Sequence, residues 1–188
     1  MTTPTGLAPA QARARLHELT VIDVRTPGEY ASGHLPGAHN VPLDHLRTAL
    51  PALRTAAGRG DLLVVCASGA RSATACAVLA EHGITAATLT GGTAAWVRLG
   101  NDVHQPAGGR TVWAMERQVR FTAGSLVLAG LALGRRRPGA RLLCAGIAGG
   151  LVFSALTDTC GMARVLARLP HNRPRPTDLD ATLAALSG

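Results

Sequence analysis

The chain contains no lysine, so all 19 of its basic side chains are arginines. Aromatic residues make up only 3% of it. Although the formal net charge is +8, basic nucleic-acid modules interleave their charges with aromatic stacking platforms, and such platforms are missing here. No nucleic-acid partner is expected. The four cysteines, Cys66, Cys76, Cys144 and Cys160, show no C-x-x-C spacing, which argues against both a zinc site and a disulfide framework. No cleavable-looking signal precedes them, and a reducing, cytoplasmic setting is expected for the N-terminal part. Uncharged apolar runs are short as well. Two of them, residues 121–134 and 142–157, hold 14 and 16 residues, below the roughly 20 of a full membrane span.

Charge divides the chain in two. Through Gln105, eight Arg face seven Asp and Glu; from Pro106 onward eleven Arg face four acids, so the basic excess belongs to the C-terminal part. Those arginines border the apolar runs. Arg135, Arg136, Arg137 and Arg141 lie between them, while Arg110, Arg117, Arg120, Arg164, Arg168, Arg173 and Arg175 lie outside. Long arginine stems can snorkel to a bilayer surface, and Trp113 sits at an interfacial position. With helical flanks added, each run approaches spanning length. The expectation is therefore an N-terminal domain with linker over 1–105, a two-helix membrane hairpin over 106–172 with spans at about 113–134 and 141–160, and a C-terminal tail over 173–188. The larger outer arginine count places both termini, and the N-terminal domain, on the cytoplasmic side of an inner membrane. Gly130 with Gly134, and Gly146 with Gly150, permit close helix approach, leaving room for a homodimer through the hairpin.

Before the linker, strands alternate with helices. Thr20 to Val24, Leu62 to Val65 and Ala86 to Leu89 read as strands; Ala8 to Leu19, Leu43 to Leu53 with its interrupting Pro51, Ala73 to His82 and Thr93 to Leu99 read as helical. This order implies an α/β fold, a parallel sheet covered by helices on both faces, with its site at the carboxyl end of a strand.

One such end is Cys66-Ala67-Ser68-Gly69-Ala70-Arg71-Ser72. A strand closes in a cysteine, and small, proline-free residues follow before a helix, so successive backbone N–H groups can converge on the sulfur as an anion-binding nest. The positive end of the helix dipole and the Arg71 guanidinium would favour a thiolate there and draw an anionic substrate to it.

Taken together, residues 8–100 resemble a rhodanese-like sulfurtransferase domain. Asp23-Val24-Arg25 with Glu29-Tyr30, then Gly33-His34 through Pro36-Gly37-Ala38 to Pro42, the loop Cys66 to Ser72, and Leu89 to Trp96 with Gly91-Gly92 are similar, in order, to that family's four signatures. Downstream, Met115 to Arg120, Cys160 to Arg164 and Leu169-Pro170 resemble the two-helix membrane domain fused to some bacterial rhodaneses, with His171 in place of the aromatic of its closing segment. The resemblance implies that Cys66 accepts sulfane sulfur as a persulfide, typically from thiosulfate, and that a thiol or cyanide takes it on. No cofactor beyond that covalent intermediate, and no metal, is implied.

Within this expectation the N–H groups of Ala67, Ser68, Gly69, Ala70 and Ser72 cradle the sulfur, and Arg71 binds the sulfonate end of the donor or pins the loop. Ser68 and Ser72 either donate hydroxyls or serve as small, capping residues. Asp23, Arg25, Glu29 and His34 hold neighbouring loops by ion pairing. Cys76 and Cys144 read as packing residues, and His34 with His39 as structural rather than metal-binding. Related folds that transfer phosphoryl groups place the arginine six positions after the cysteine. Here it stands five positions on, a tighter ring that disfavours phosphatase or arsenate reductase chemistry. The alternatives carried forward are a sulfur-carrier or sensor module, and a component that moves sulfur species across a membrane, each with little turnover.

Overall fold

The computed structural model describes residues 5–105, 115–157, 165–166 and 176–188. Trp113, Cys160 and the flanking arginines 110, 164, 168, 173 and 175 lie outside them. The chain separates into two compact units, one comprising 1–112 together with 173–188 and the other 113–172.

In the first unit, β1 (Gly6–Leu7), β2 (Leu19–Asp23), β3 (His39–Asn40), β4 (Asp61–Val65) and β5 (Ala86–Leu89) form one sheet in the order β1-β5-β4-β2-β3, with every pairing parallel. Leu62, Leu63, Val64 and Val65 of the central strand are all buried, as expected for a parallel strand covered on both faces. Ile22, Leu62 and Val64 pack to one side with Leu53 and Ala56 of α3 (Leu50–Arg59) and with Ala75 and Leu79 of α4 (Ala70–Glu81). Val21, Leu63, Val65 and Leu89 pack to the other with Ala12 of α1 (Pro9–Ala14) and Trp96 of α5 (Gly92–Arg98). The remaining helix of this region, α2 (Pro27–Ala31), is a single capped turn.

Three elements differ from the sequence reading. The helix expected over Ala8 to Leu19 ends at Ala14, a separate 3-10 turn covers Leu16–Glu18, and Leu19 already belongs to β2. Pro51 does not interrupt a helix over Leu43 to Leu53. It stands in the first turn of α3, where its missing N–H has no intrahelical partner to lose, and Leu43–His45 is a separate one-turn 3-10 helix. The edge strand β1 carries too few residues to show any period, and pairing with β5 alone defines it.

The second unit contains α6 (Met115–Leu133), a 3-10 turn at Pro138–Ala140 and α7 (Arg141–Thr157). A Cβ at Gly130 would lie 2.7 Å from Cys144 Sγ, and one at Gly134 2.8 Å from Arg141 Cγ, so these glycines allow the two helices their close approach. Gly146 and Gly150, expected to behave alike, instead face open space. Among the described residues no helix is long and apolar enough to cross a membrane. By helical rise α6 and α7 are roughly 28 and 25 Å long, against a hydrocarbon core of about 30 Å. Phe121, Leu128, Leu142, Val152 and Leu156 are nonetheless well exposed.

Residues 173–188, set apart above as a tail, group with the first unit. There α8 (Pro176–Ser187) packs on α3. Leu186 is 1% exposed and joins the same apolar cluster as Ile22 and Leu53, and its carbonyl accepts a hydrogen bond of 2.5 Å from Arg59 Nη2. Leu186→Ala is expected to cost about 3 kcal/mol through lost transfer energy and the cavity left behind. Thermal unfolding followed by circular dichroism should show it as a midpoint lower by roughly 10 °C, and an unchanged midpoint would exclude this packing.

Candidate active site

Cys66 directly follows β4, the sheet's central strand, and is fully buried. The polypeptide must turn sharply from strand to helix around its sulfur. Gly69 permits this at φ 109°, where side-chain-bearing residues are strained, and α4 begins one residue later. The sulfur accepts the N–H of Gly69 at 3.1 Å and that of Ser72 at 3.4 Å, and lies 3.6 Å from Ser72 Oγ. Two backbone dipoles from the first turn of a twelve-residue helix therefore point at one atom, an arrangement that favours negative charge there.

A second helix clamps the loop from behind. The N–H groups of Thr93 and Ala94, in the first turn of α5, donate to the carbonyls of Cys66 and Ala67 at 2.8 and 3.0 Å. Gly92, at φ 61°, makes this contact possible, since a Cβ there would fall on the carbonyl oxygen of Cys66.

The expected supporting residues come together in two groups. Asp23 pairs in register with Val65 and so ends one strand away from Cys66. Its carboxylate takes the Arg25 guanidinium, with Nη2 at 2.6 Å from Oδ2, and the same Nη2 also donates to the Gly33 carbonyl at 2.8 Å. Asn40 Nδ2 closes the arrangement on the backbone carbonyls of Asp23 and Arg25. In the second group, Glu29 is the reciprocal partner of Thr26 in a capping box on α2. The same carboxylate receives both terminal nitrogens of Arg71 at 2.8 Å. One acid thus caps α2 and ties it to α4.

Burial disfavours charge on Arg71, but the two hydrogen bonds and the charge of Glu29 outweigh it and hold its pKa above the usual value. The cation also lies within electrostatic reach of Cys66. Ser72 is not the helix cap, because Gly69 holds that position. Its buried hydroxyl instead donates to the Gly69 carbonyl at 2.9 Å and meets Thr88 Oγ1 at 2.6 Å. Ala67 is half-buried, and Ser68 and Ala70 are exposed on the outer side of the loop.

His34 stands apart from the sulfur's immediate partners. It stacks on Tyr30 with centroids 3.7 Å apart, and its Nδ1 pairs with the Tyr30 carbonyl at 2.9 Å. Burial pushes its pKa down, as it does for His39. Cys76 is buried on the core-facing side of α4, where desolvation and then the neighbouring Cys66 push its thiol up to about 11. It is therefore a neutral thiol at physiological pH. Among the described residues no group of three or more His, Cys, Asp or Glu could hold a metal ion.

Residues 8–99 match the model of the Rhodanese-like domain, and residues 113–175 that of the inner membrane protein YgaP-like transmembrane domain. A sulfurtransferase of Allochromatium vinosum is 36% identical over 104 residues, covering 53% of this chain and 91% of that protein. The chain belongs to the rhodanese-like family. An uncharacterized protein of Synechocystis is 35% identical to it over 155 residues, 81% of this chain and 84% of that one. The crystal structure of a rhodanese-related protein from Thermoplasma volcanium shares 29% identity with a TM-score of 0.50, and the match covers 53% of this chain and 97% of that one.

This rhodanese-like chain is therefore a sulfurtransferase-family protein whose catalytic fold is fused to a YgaP-like transmembrane-domain sequence. The Gly91-Gly92 pair is legible in the sequence as part of a signature, whereas its contact with the loop is not. Thr88 and Asn40 it missed altogether, since neither a strand threonine nor a loop asparagine carries a local signal of its partner.

Proposed function

We propose that this chain is a membrane-anchored thiosulfate sulfurtransferase that works through a persulfide on Cys66. The observation that carries the reading is the Cys66 sulfur held by the Gly69 and Ser72 N–H groups inside a loop that ends at Arg71. The Cys66 thiolate attacks the outer sulfur of thiosulfate. A sulfur–sulfur bond forms on Cys66 as that of thiosulfate breaks, and sulfite leaves with the bonding electrons. A thiolate or cyanide then attacks the outer sulfur of the persulfide, taking it as a new persulfide or as thiocyanate, and the Cys66 thiolate returns. No general base is required, because backbone donors carry the negative charge in every resting form.

Incubation with thiosulfate followed by intact-mass measurement tests the reading. One added sulfur on the wild-type chain is expected, and no adduct would overturn it. Loading followed by negligible transfer to cyanide or small thiols would instead favour the carrier reading.

Arg71 supplies the positive charge that draws the dianion, and Glu29 fixes its planar end. Arg71→Lys keeps the charge but cannot form the two-pronged bond. Loading is expected to slow by about tenfold, a cost typical of a displaced positioning group, and stopped-flow or quenched mass measurement would check it.

The second unit anchors the enzyme in an inner membrane. Its match to an inner-membrane domain, its exposed leucines and phenylalanines and its arginine-rich connection support this. A two-helix hairpin crosses a bilayer twice, so both of its ends emerge on one side. The arginine count makes that side the cytoplasm. Pairing of two copies through the hairpin, with Gly146 and Gly150 as its open face, belongs to the same proposal. An intact chain that stays soluble and monodisperse without detergent would refute the anchoring.

A further inference from the structure

Beneath the Cys66 sulfur lies a pair of hydroxyls that no step above uses. Ser72 Oγ has a single proton, directed at the Gly69 carbonyl 2.9 Å away. It is also 2.6 Å from Thr88 Oγ1 and 3.6 Å from the Cys66 sulfur, whose thiol donates to it. With its own proton committed, Ser72 accepts from both neighbours, and Thr88 is the donor in the short hydroxyl pair.

Ionisation of Cys66 removes the thiol proton and leaves a charged sulfur facing an oxygen. The Ser72 proton can then swing from the Gly69 carbonyl to the sulfur. Gly69 does not lose its last partner, because the same carbonyl accepts the Ala73 N–H at 3.0 Å in the helical ladder. Thr88 stays in place through the change. Its donated hydrogen bond holds the Ser72 oxygen and polarises its O–H towards the sulfur, and chained hydrogen bonds strengthen one another most when one end is charged.

We propose that Thr88, on β5, is a positioning residue for the Cys66 nucleophile, acting through the Ser72 hydroxyl to hold a proton donor against the ionised sulfur. In the hydrogen bonds described it reaches the sulfur through Ser72. The charged and titratable groups around the sulfur are Arg71, with Glu29 bound to it, and Cys76 on α4, with Asp23 and Arg25 at the end of β2. None of them touches Thr88 in the hydrogen bonds described, so replacing its hydroxyl leaves their arrangement intact. The inference deepens the proposed reaction and rests on Cys66 acting as a thiolate.

The test uses the full chain in detergent, with iodoacetamide as the probe. Alkylation of the Cys66 peptide is followed by mass spectrometry across pH for wild type, Thr88→Val, Thr88→Ala and Thr88→Ser. Losing a donor that favours the charged form moves the half-reactive pH upwards. The midpoint is expected to rise by about 0.5 unit or more in the Val and Ala variants, roughly a threefold loss of thiolate below the midpoint, and to return in the Ser variant. Two different replacements guard against one that folds poorly. An unchanged midpoint in the folded Val or Ala variant, or a Ser variant that fails to restore it, overturns the inference. Thiosulfate is absent from the assay, so this failure is distinct from failure to load sulfur.

Discussion

Cys66→Ser is expected to abolish sulfur loading outright, with no mass adduct after thiosulfate, while the chain retains its wild-type circular dichroism. The two halves of that outcome have different causes. Serine fills nearly the same space, and the Gly69 and Ser72 N–H groups that hold the sulfur at 3.1 and 3.4 Å can donate to an oxygen as well. The fold therefore tolerates the change. The chemistry does not, because a thiolate is a strong nucleophile near neutral pH and the loop holds no general base to ionise a serine hydroxyl. Cys76 cannot take over. It is buried in the core with its thiol pushed up to about 11, and so stays protonated. A sulfur adduct on the Cys66→Ser chain would show that the nucleophile lies elsewhere.

Gly92→Ala is expected to impair both stability and activity although it removes no functional group. The residue adopts φ 61°, a left-handed conformation that costs an alanine roughly 1–2 kcal/mol. In addition the new methyl would overlap the Cys66 carbonyl oxygen and the carbonyl group of Ala67. Backbone cannot rotate away as a flexible side chain does, so the two strands of chain must separate. That breaks the hydrogen bonds from Thr93 and Ala94 which fix the loop. A total destabilisation of about 3 kcal/mol is expected from strain and overpacking together. In the fraction that folds, the displaced sulfur should load at least about tenfold more slowly, since misplacement near 1 Å can cost a hundredfold. Thermal unfolding and the loading rate measured together check this. A variant matching wild type in both would show that the Gly92 contact is not part of the site.

The sequence by itself determined the alternation of strands and helices, and with it the parallel α/β sheet and the place of Cys66 at a strand's carboxyl end. Those features are local: β-branched and leucine-rich runs, helix-stopping glycines, and a small-residue turn each carry their geometry within a few positions. The nest around the sulfur was legible for the same reason, because Gly69 and the first turn of α4 are contiguous with Cys66. The charge split between the two parts of the chain was likewise plain.

Only the tertiary structure decided which distant groups meet there. Glu29 reads as an ion-pairing residue that holds neighbouring loops, but its partner is settled only where α2 meets α4 and it takes Arg71 from 42 positions away. Thr88 reads as an ordinary strand residue until β5 brings it to Ser72. The last helix, α8, has a plain apolar pattern that fits a free tail as well as a packed one. It becomes part of the first unit because Leu186 buries in the apolar cluster with Leu53 and Ala56 of α3, 127 residues from Arg59, the group that hydrogen-bonds its carbonyl. Side-chain type and spacing fix what a residue can do nearby, while long-range partners depend on the packing of elements whose separation along the chain leaves no periodic trace.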